Sequence, residues 1–142
     1  MNAILLNFII LMVLISTPMA DSPARLKLDY KFWIETDSGV SIMGEGKWIL
    51  LKNIKDTGSL KAAVEKMGYT YRQTWENLKN IEGKIGFRLI EKSRGGAKGG
   101  HTVLTPKGEE FVAFFDKFYK QVKPAIEIEI AEMQNELDRI LR

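Results

Sequence analysis

From Tyr71 the chain sets out Arg72, Gln73, Glu76, Asn77, Lys79 and Asn80 on a short stretch interrupted by Thr74, Trp75 and Leu78. These long polar side chains suit nucleic-acid edges and backbones. Arginine grips guanine and glutamine grips adenine through paired hydrogen bonds, the other long polar groups can reach bases or phosphates, and lysine contacts phosphate without reading sequence. Such groups must project from one side of a rigid rod. Thr74, Leu78, Ile81 and Ile85 provide its inner stripe at helical spacing, so a helix is predicted from about Tyr71 to Glu82. Tyr71 at its start is balanced between contact and core. Trp75, one turn on, has the spacing of a core residue.

A second helix must hold the first. Leu60, Ala63, Val64 and Met67 recur at helical spacing behind Ser59, whose hydroxyl can accept an orphan amide one turn on. Gly68 stands where a helix needs a left-handed residue to stop, and Thr70 can cap the next helix. Two helices joined by a tight turn from Gly68 to Thr70 outline a helix-turn-helix.

Other chemistries find little support. The chain has no cysteine and one histidine, His101, so a thiol nucleophile, a disulfide framework and a zinc cluster are excluded. Gly95 to Thr102 mimics a phosphate loop only loosely: His101 stands where lysine is required, and Thr102-Val103-Leu104-Thr105-Pro106 reads as strand and turn rather than helix. No serine or carboxylate pair is spaced to use His101 as a base, which leaves a loop histidine beside DNA. No enzymatic activity, cofactor or metal is expected.

At 142 residues and 45% hydrophobic content, the chain can bury one ordinary core. The net charge of +3 is unevenly spread: residues 124 to 142 hold five acidic residues against Arg139 and Arg142, and residues 1 to 20 hold none, leaving 19 basic against 13 acidic, or +6, for residues 21 to 123. Lys84, Arg88, Lys92, Arg94 and Lys98 face only Glu91. A basic lobe beside an acidic tail suits a polyanion binder with a separate assembly element.

Residues 1 to 20 form a distinct apolar segment, with an almost unbroken run from Ala3 to Ile15. It is short for a membrane span, and it has a signal-peptide core length but no basic residue before it. Three readings stand in order: translation starting at Met19, a membrane tether facing the cytoplasm, and secretion. The first makes the protein cytoplasmic.

The domain proper is expected over residues 26 to 123. Leu28, Tyr30, Phe32 and Ile34 alternate with Lys27, Asp29, Lys31 and Glu35, which predicts a half-buried strand from Leu26 to Glu35. Asp37-Ser38-Gly39 turns the chain into a second strand at Val40 to Met43, and a bracing helix follows from about Lys47 to Thr57. Phe87 to Lys92 and His101 to Thr105 read as two strands joined by a glycine-rich wing, residues 93 to 101, whose Arg94 and Lys98 can follow a phosphate backbone. Pro106 opens a last helix carrying Phe111, Phe115, Phe118 and Val122, which Pro124 interrupts. Over residues 124 to 142, Ile126, Ile130, Met133, Leu137 and Ile140 then form a heptad seam. That seam either joins two copies or packs on its own domain, and the first reading is preferred because the segment is otherwise surplus to the fold.

Gly58-Ser59-Leu60, Ala62-Ala63, Thr70-Tyr71-Arg72 with Trp75, the run Ser93 to Gly100, and Leu104-Thr105-Pro106-x-Gly108 together resemble the amino-terminal DNA-binding domain of the molybdate-responsive regulator ModE, itself related to the winged helix of LysR-type regulators. The likeness runs from about Leu28 to Tyr119. It implies an α+β, mainly helical winged helix-turn-helix in a homodimeric transcription factor, with the helix at 71 to 82 in the major groove of double-stranded DNA and the wing on flanking DNA. ModE also carries molybdate-binding domains, and this chain ends at Arg142 without room for them, so molybdate sensing is not expected here. The rival reading is a winged-helix interaction module that uses Trp75 and its basic face on another protein, held at a membrane by residues 1 to 20.

Overall fold

The computed structural model describes residues 24–93 and 101–142. Its elements are β1 (Trp33–Glu35), β2 (Ser41–Gly44), α1 (Glu45–Thr57), α2 (Leu60–Met67), α3 (Tyr71–Ile85), β3 (Ile90–Ser93), β4 (His101–Leu104) and α4 (Pro106–Ile140). The chain divides into a unit of Asp29–Ala131 and a unit made of its two ends, of which residues 24–28 and 132–142 are described.

In the larger unit four helices, the last by its first part, and two antiparallel hairpins enclose one apolar core. Leu50, Leu51 and Ile54 of α1 meet Leu60, Ala63 and Val64 of α2, Leu78 and Ile81 of α3, and Phe115 of α4. Ile42 and Met43 close the core from the first hairpin, and Leu89, Ile90 and Leu104 close it from the second. The arrangement is a winged helix-turn-helix, α+β and mainly helical, as expected.

The first hairpin is shorter than its apolar alternation suggests. Tyr30, Phe32 and Ile34 are half-buried while Lys31, Trp33 and Glu35 are exposed, but ladder pairing is confined to Trp33–Glu35, opposite Gly44, Met43 and Ser41, with a bulge after Ile34. Before Trp33 the alternation is satisfied by side chains instead: the Phe32 ring meets Phe118 and Tyr119 edge-on at centroid distances of 5.4 and 5.9 Å. An extended segment can bury alternate residues on a helix without a partner strand.

The second hairpin pairs Ile90 with Leu104, Glu91 with Val103, Lys92 with Thr102 and Ser93 with His101. Its first strand begins at Ile90 rather than Phe87. Thr105 follows β4 instead of ending it, and its amide donates to the Leu89 carbonyl at 3.0 Å. The segment 94–100 that would join the strands lies outside the described residues, as do residues 1–23 and every expectation placed on them.

Pro124 does not interrupt the last helix, which is continuous from Pro106 to Ile140 with Pro124 inside it. An interior proline removes one amide donor and costs about 3 kcal/mol or more in an unsupported helix. Here one ion pair precedes the proline, Lys120 on Asp116 at 2.6 Å, and another spans it, Lys123 on Glu127 at 3.6 Å. In the smaller unit the Leu28 amide donates to Oε1 of Gln134 at 2.7 Å, and Nε2 of Gln134 donates to the Leu26 carbonyl at 3.1 Å. Among the described residues no helix is long and apolar enough to cross a membrane.

Candidate nucleic-acid interface

The helix pair is built by local rules that the sequence states openly. Ser59 caps α2 by accepting the Ala62 amide at 3.2 Å. Gly68 ends the helix with φ of 68°, where a side chain would be strained, and the amides of Gly68 and Tyr69 donate back to Glu65 and Val64 at 3.2 and 2.9 Å. Thr70 is extended and precedes α3, but its hydroxyl makes no backbone cap; it lies 3.4 Å from Oε1 of Gln73 instead. The helix it opens runs past Glu82 to Ile85 and is stopped by Gly86 at φ of 78°. Gly83 is carried within it.

Leu78 and Ile81 face the core, and Thr74 and Trp75 are half-buried. Tyr71, Arg72, Gln73, Glu76, Asn77, Lys79 and Asn80 are exposed. All the α3 residues singled out for base or phosphate contact therefore share the solvent side of one helix. Nε of Arg72 holds Oε1 of Glu76 at 3.0 Å, with the arginine side chain 92% exposed. An exposed pair of this kind is worth under about 1 kcal/mol and opens readily.

Lys92, by its sequence only one charge of the basic lobe, links β3 to α3. From β3 its Nζ donates to Oη of Tyr71 at 2.7 Å and lies 4.1 Å from the Trp75 ring centroid, while Nζ of Lys79 stands 4.7 Å from the same ring. Two ammonium groups thus lie over Trp75. The contact holds the start of α3 and the first wing strand in one geometry, through cation–π attraction and a hydrogen bond.

Glu82 is the other residue that its position in the sequence concealed. It is 6% exposed, accepts the amides of Leu89 and Ile90 on Oε1 at 2.8 and 3.1 Å, and takes Nζ of Lys79 on Oε2 at 2.6 Å. Burial pushes its pKa up, but the hydrogen bonds from Lys79, Ile90 and Leu89 outweigh that, and the net direction is down. In sequence Lys79 and Glu82 look like any surface pair three residues apart.

His101 is exposed at the start of β4, opposite Ser93. Its Nδ1 lies over the α1–α2 turn, 3.5 Å from where Gly58 would carry a Cβ, and the Thr102 amide donates to the Gly58 carbonyl at 2.9 Å. That docking fixes the second wing strand on the helical core. Arg94 and Lys98 lie outside the described residues. Of the seam residues, Met133 and Ile140 are 53% and 75% exposed, whereas Ile126, Ile130 and Leu137 are partly covered.

No family model matches the chain. In fold it is similar to the BenM DBD in a complex with benA site 1 DNA, with a TM-score of 0.45 and 20% identity over 60% of this chain and 91% of that one. It is also similar to VV2_1132, a LysR family transcriptional regulator, with a TM-score of 0.43 and 25% identity over 58% of this chain and 29% of that one. Among curated relatives, the molybdenum-pterin-binding protein MopB of Rhodobacter capsulatus is 29% identical over 99 residues, covering 70% of this chain and 34% of MopB. The molybdenum transport protein ModE of Herbaspirillum seropedicae is 35% identical over 72 residues, covering 51% and 27%. For the DNA-binding transcriptional dual regulator ModE of Escherichia coli (strain K12), identity is 30% over 67 residues, covering 47% and 26%. The chain thus spans about a third or less of the length of these relatives, and over that stretch it resembles ModE.

Proposed function

We propose that the chain is a sequence-specific DNA-binding transcriptional regulator, with α3 entering the major groove and the wing at residues 93 to 101 lying on flanking DNA. One observation carries this reading: the exposed face of α3 presents Arg72, Gln73, Glu76 and Asn77 directly after the Gly68 turn, on a helix fixed from behind by Leu78 and Ile81. A helix held in this way can offer bidentate donors and acceptors to base edges without losing its register. The printed name of the Escherichia coli relative, a DNA-binding transcriptional dual regulator, agrees with it. The reading assigns the chain no catalytic step and places it in the cytoplasm, with its DNA.

In this reading Arg72 and Gln73 read bases, Glu76 and Asn77 add edge contacts, and Lys79, Arg94 and Lys98 contact phosphates, with Tyr71 and His101 at the margins. Two copies joined through Ile126, Ile130, Met133, Leu137 and Ile140 would present two such helices to half-sites about one helical turn apart. The rival use of Trp75 as a protein-docking residue is disfavoured because Lys79 and Lys92 lie over its ring.

Two substitutions test the assignments. Arg72→Ala is expected to relax preference at one base position by roughly 1 to 3 kcal/mol, measured by competition between single-base variants of a selected site. Lys98→Ala is expected to weaken binding to every duplex and to lower the slope of log affinity against log salt by about one. Equal losses on selected and random DNA for both variants would overturn the division between reading and gripping residues.

A further inference from the structure

Beside α3 opens a cleft of about 540 Å³ whose walls include Ser41 from β2, Gly46 and Lys47 from α1, Tyr69 from the turn, and Gln73 and Asn77 from α3. We infer that this cleft seats a phosphate of the DNA strand bordering the groove that α3 enters, and that Lys47 binds it. The inference rests on the DNA-binding reading and extends the contact surface to a helix and a hairpin outside the helix-turn-helix.

Lys47 is poorly provided for by its own protein. Its Nζ meets the Ser41 carbonyl at 3.3 Å, and among the described residues it forms no ion pair. Glu45, the acidic residue nearest in sequence, has Oε1 engaged by the Tyr119 hydroxyl at 3.2 Å. Burial lowers the Lys47 pKa, and the ammonium sits in the first turn of α1, where the helix field favours negative charge. A single oxyanion in the cleft would relieve the missing partner, the desolvation and the unfavourable field together.

The remaining lining matches an anion and not a cation. No aspartate or glutamate contributes to it, whereas Ser41, Tyr69 and Thr70 bring hydroxyls and Gln73 and Asn77 bring amides. The space depends on a small residue at Gly46, where an added Cβ would stand 3.2 Å from Oη of Tyr69. Because Gln73 and Asn77 belong both to the cleft and to the base-reading face, a duplex placed on those residues passes the mouth of the cleft. That juxtaposition selects a backbone phosphate over an unattached anion.

The test compares wild type, Lys47→Gln, Lys47→Arg and a charge control on α4, Lys117→Gln, which does not line the cleft, by fluorescence anisotropy on selected and random duplexes across a salt series. Thermal melts accompany each protein. Lys47→Gln is expected to lower the salt slope by about 0.9 and to weaken both duplexes by the same factor, while Lys47→Arg and Lys117→Gln keep the wild-type slope. A wild-type slope in Lys47→Gln, with wild-type protein still binding steeply, overturns the inference and leaves the DNA-binding reading intact. Loss of slope in Lys47→Arg equal to that in Lys47→Gln also overturns it, since charge would not be the cause. In a parallel arm, inorganic phosphate is titrated while the amide resonances of residues 44 to 47 are followed. A response abolished by Lys47→Gln, joined to an unchanged DNA slope in that variant, would reassign the cleft to free phosphate and overturn the DNA contact.

Discussion

Replacing Glu82 with alanine is expected to destabilise the domain by about 3 kcal/mol, because it leaves the buried amides of Leu89 and Ile90 without an acceptor, at about 1 to 3 kcal/mol for each such group. Thermal unfolding followed by circular dichroism should show a midpoint lower by roughly 10 °C. Glu82→Gln should lose less, since an amide oxygen can still accept both N–H groups and only the charge on Lys79 is unanswered. An unchanged midpoint in Glu82→Ala would mean that the carboxylate does not join α3 to the wing.

The same residue makes stability depend on pH in a definite direction. Its folded pKa lies below the ordinary value of 4.5, so the unfolded chain takes up the proton first as pH falls. The Glu82 contribution is therefore complete above about 4.5 and is lost as pH drops below it through the folded pKa. Wild type and Glu82→Gln should accordingly converge in stability under acid and diverge towards neutrality. Parallel curves across that window would contradict the charge assignment.

Gly108→Ala is the second large effect, about 3 kcal/mol or more, because overpacking against backbone cannot be relieved by turning a side chain. An added Cβ would overlap the Leu89 carbonyl oxygen and come within 3.0 Å of its carbonyl carbon. The crowding falls where the Thr105 amide bonds that same oxygen at 3.0 Å and the Gly108 amide donates to Oγ1 of Thr105 at 2.9 Å. The start of α4 is thus docked on the segment that enters the wing. Urea unfolding should show a lower midpoint with little change in slope, and a midpoint equal to wild type would show that the approach is not tight.

Both effects concern contacts that sequence spacing does not display. The helices were legible because burial every three or four residues and left-handed glycines are local signals, and Ser59, Gly68 and the stripe through Leu78 and Ile81 obey them. α3 continues past its expected end at Glu82 because Gly83 stays helical, and Gly86 is the residue that takes positive φ. Strand limits were overestimated for a different reason: apolar alternation reports burial, not pairing. Leu89 looks like strand, yet its amide goes to Glu82 and its neighbour opens the ladder. Pro124 did not act as a breaker: the helix runs through it from Pro106 to Ile140.

At the site, the exposed polar face of α3 could be read directly, residue by residue. Glu82, Lys92 and Lys47 could not, since each acts across elements: Glu82 on the amides at the start of β3, Lys92 on Tyr71 and Trp75, and Lys47 in a cleft shared with α3. A charged residue in a helical surface pattern gives no sign of which neighbour folding will bring to it.

The most direct measurement is the affinity of the purified chain for double-stranded DNA, random and selected, as a function of salt concentration. The expected result is binding to both that falls steeply and linearly on logarithmic axes, with tighter binding to the selected duplex. A folded protein with no salt-sensitive affinity for any duplex would contradict the proposed insertion of α3 into DNA.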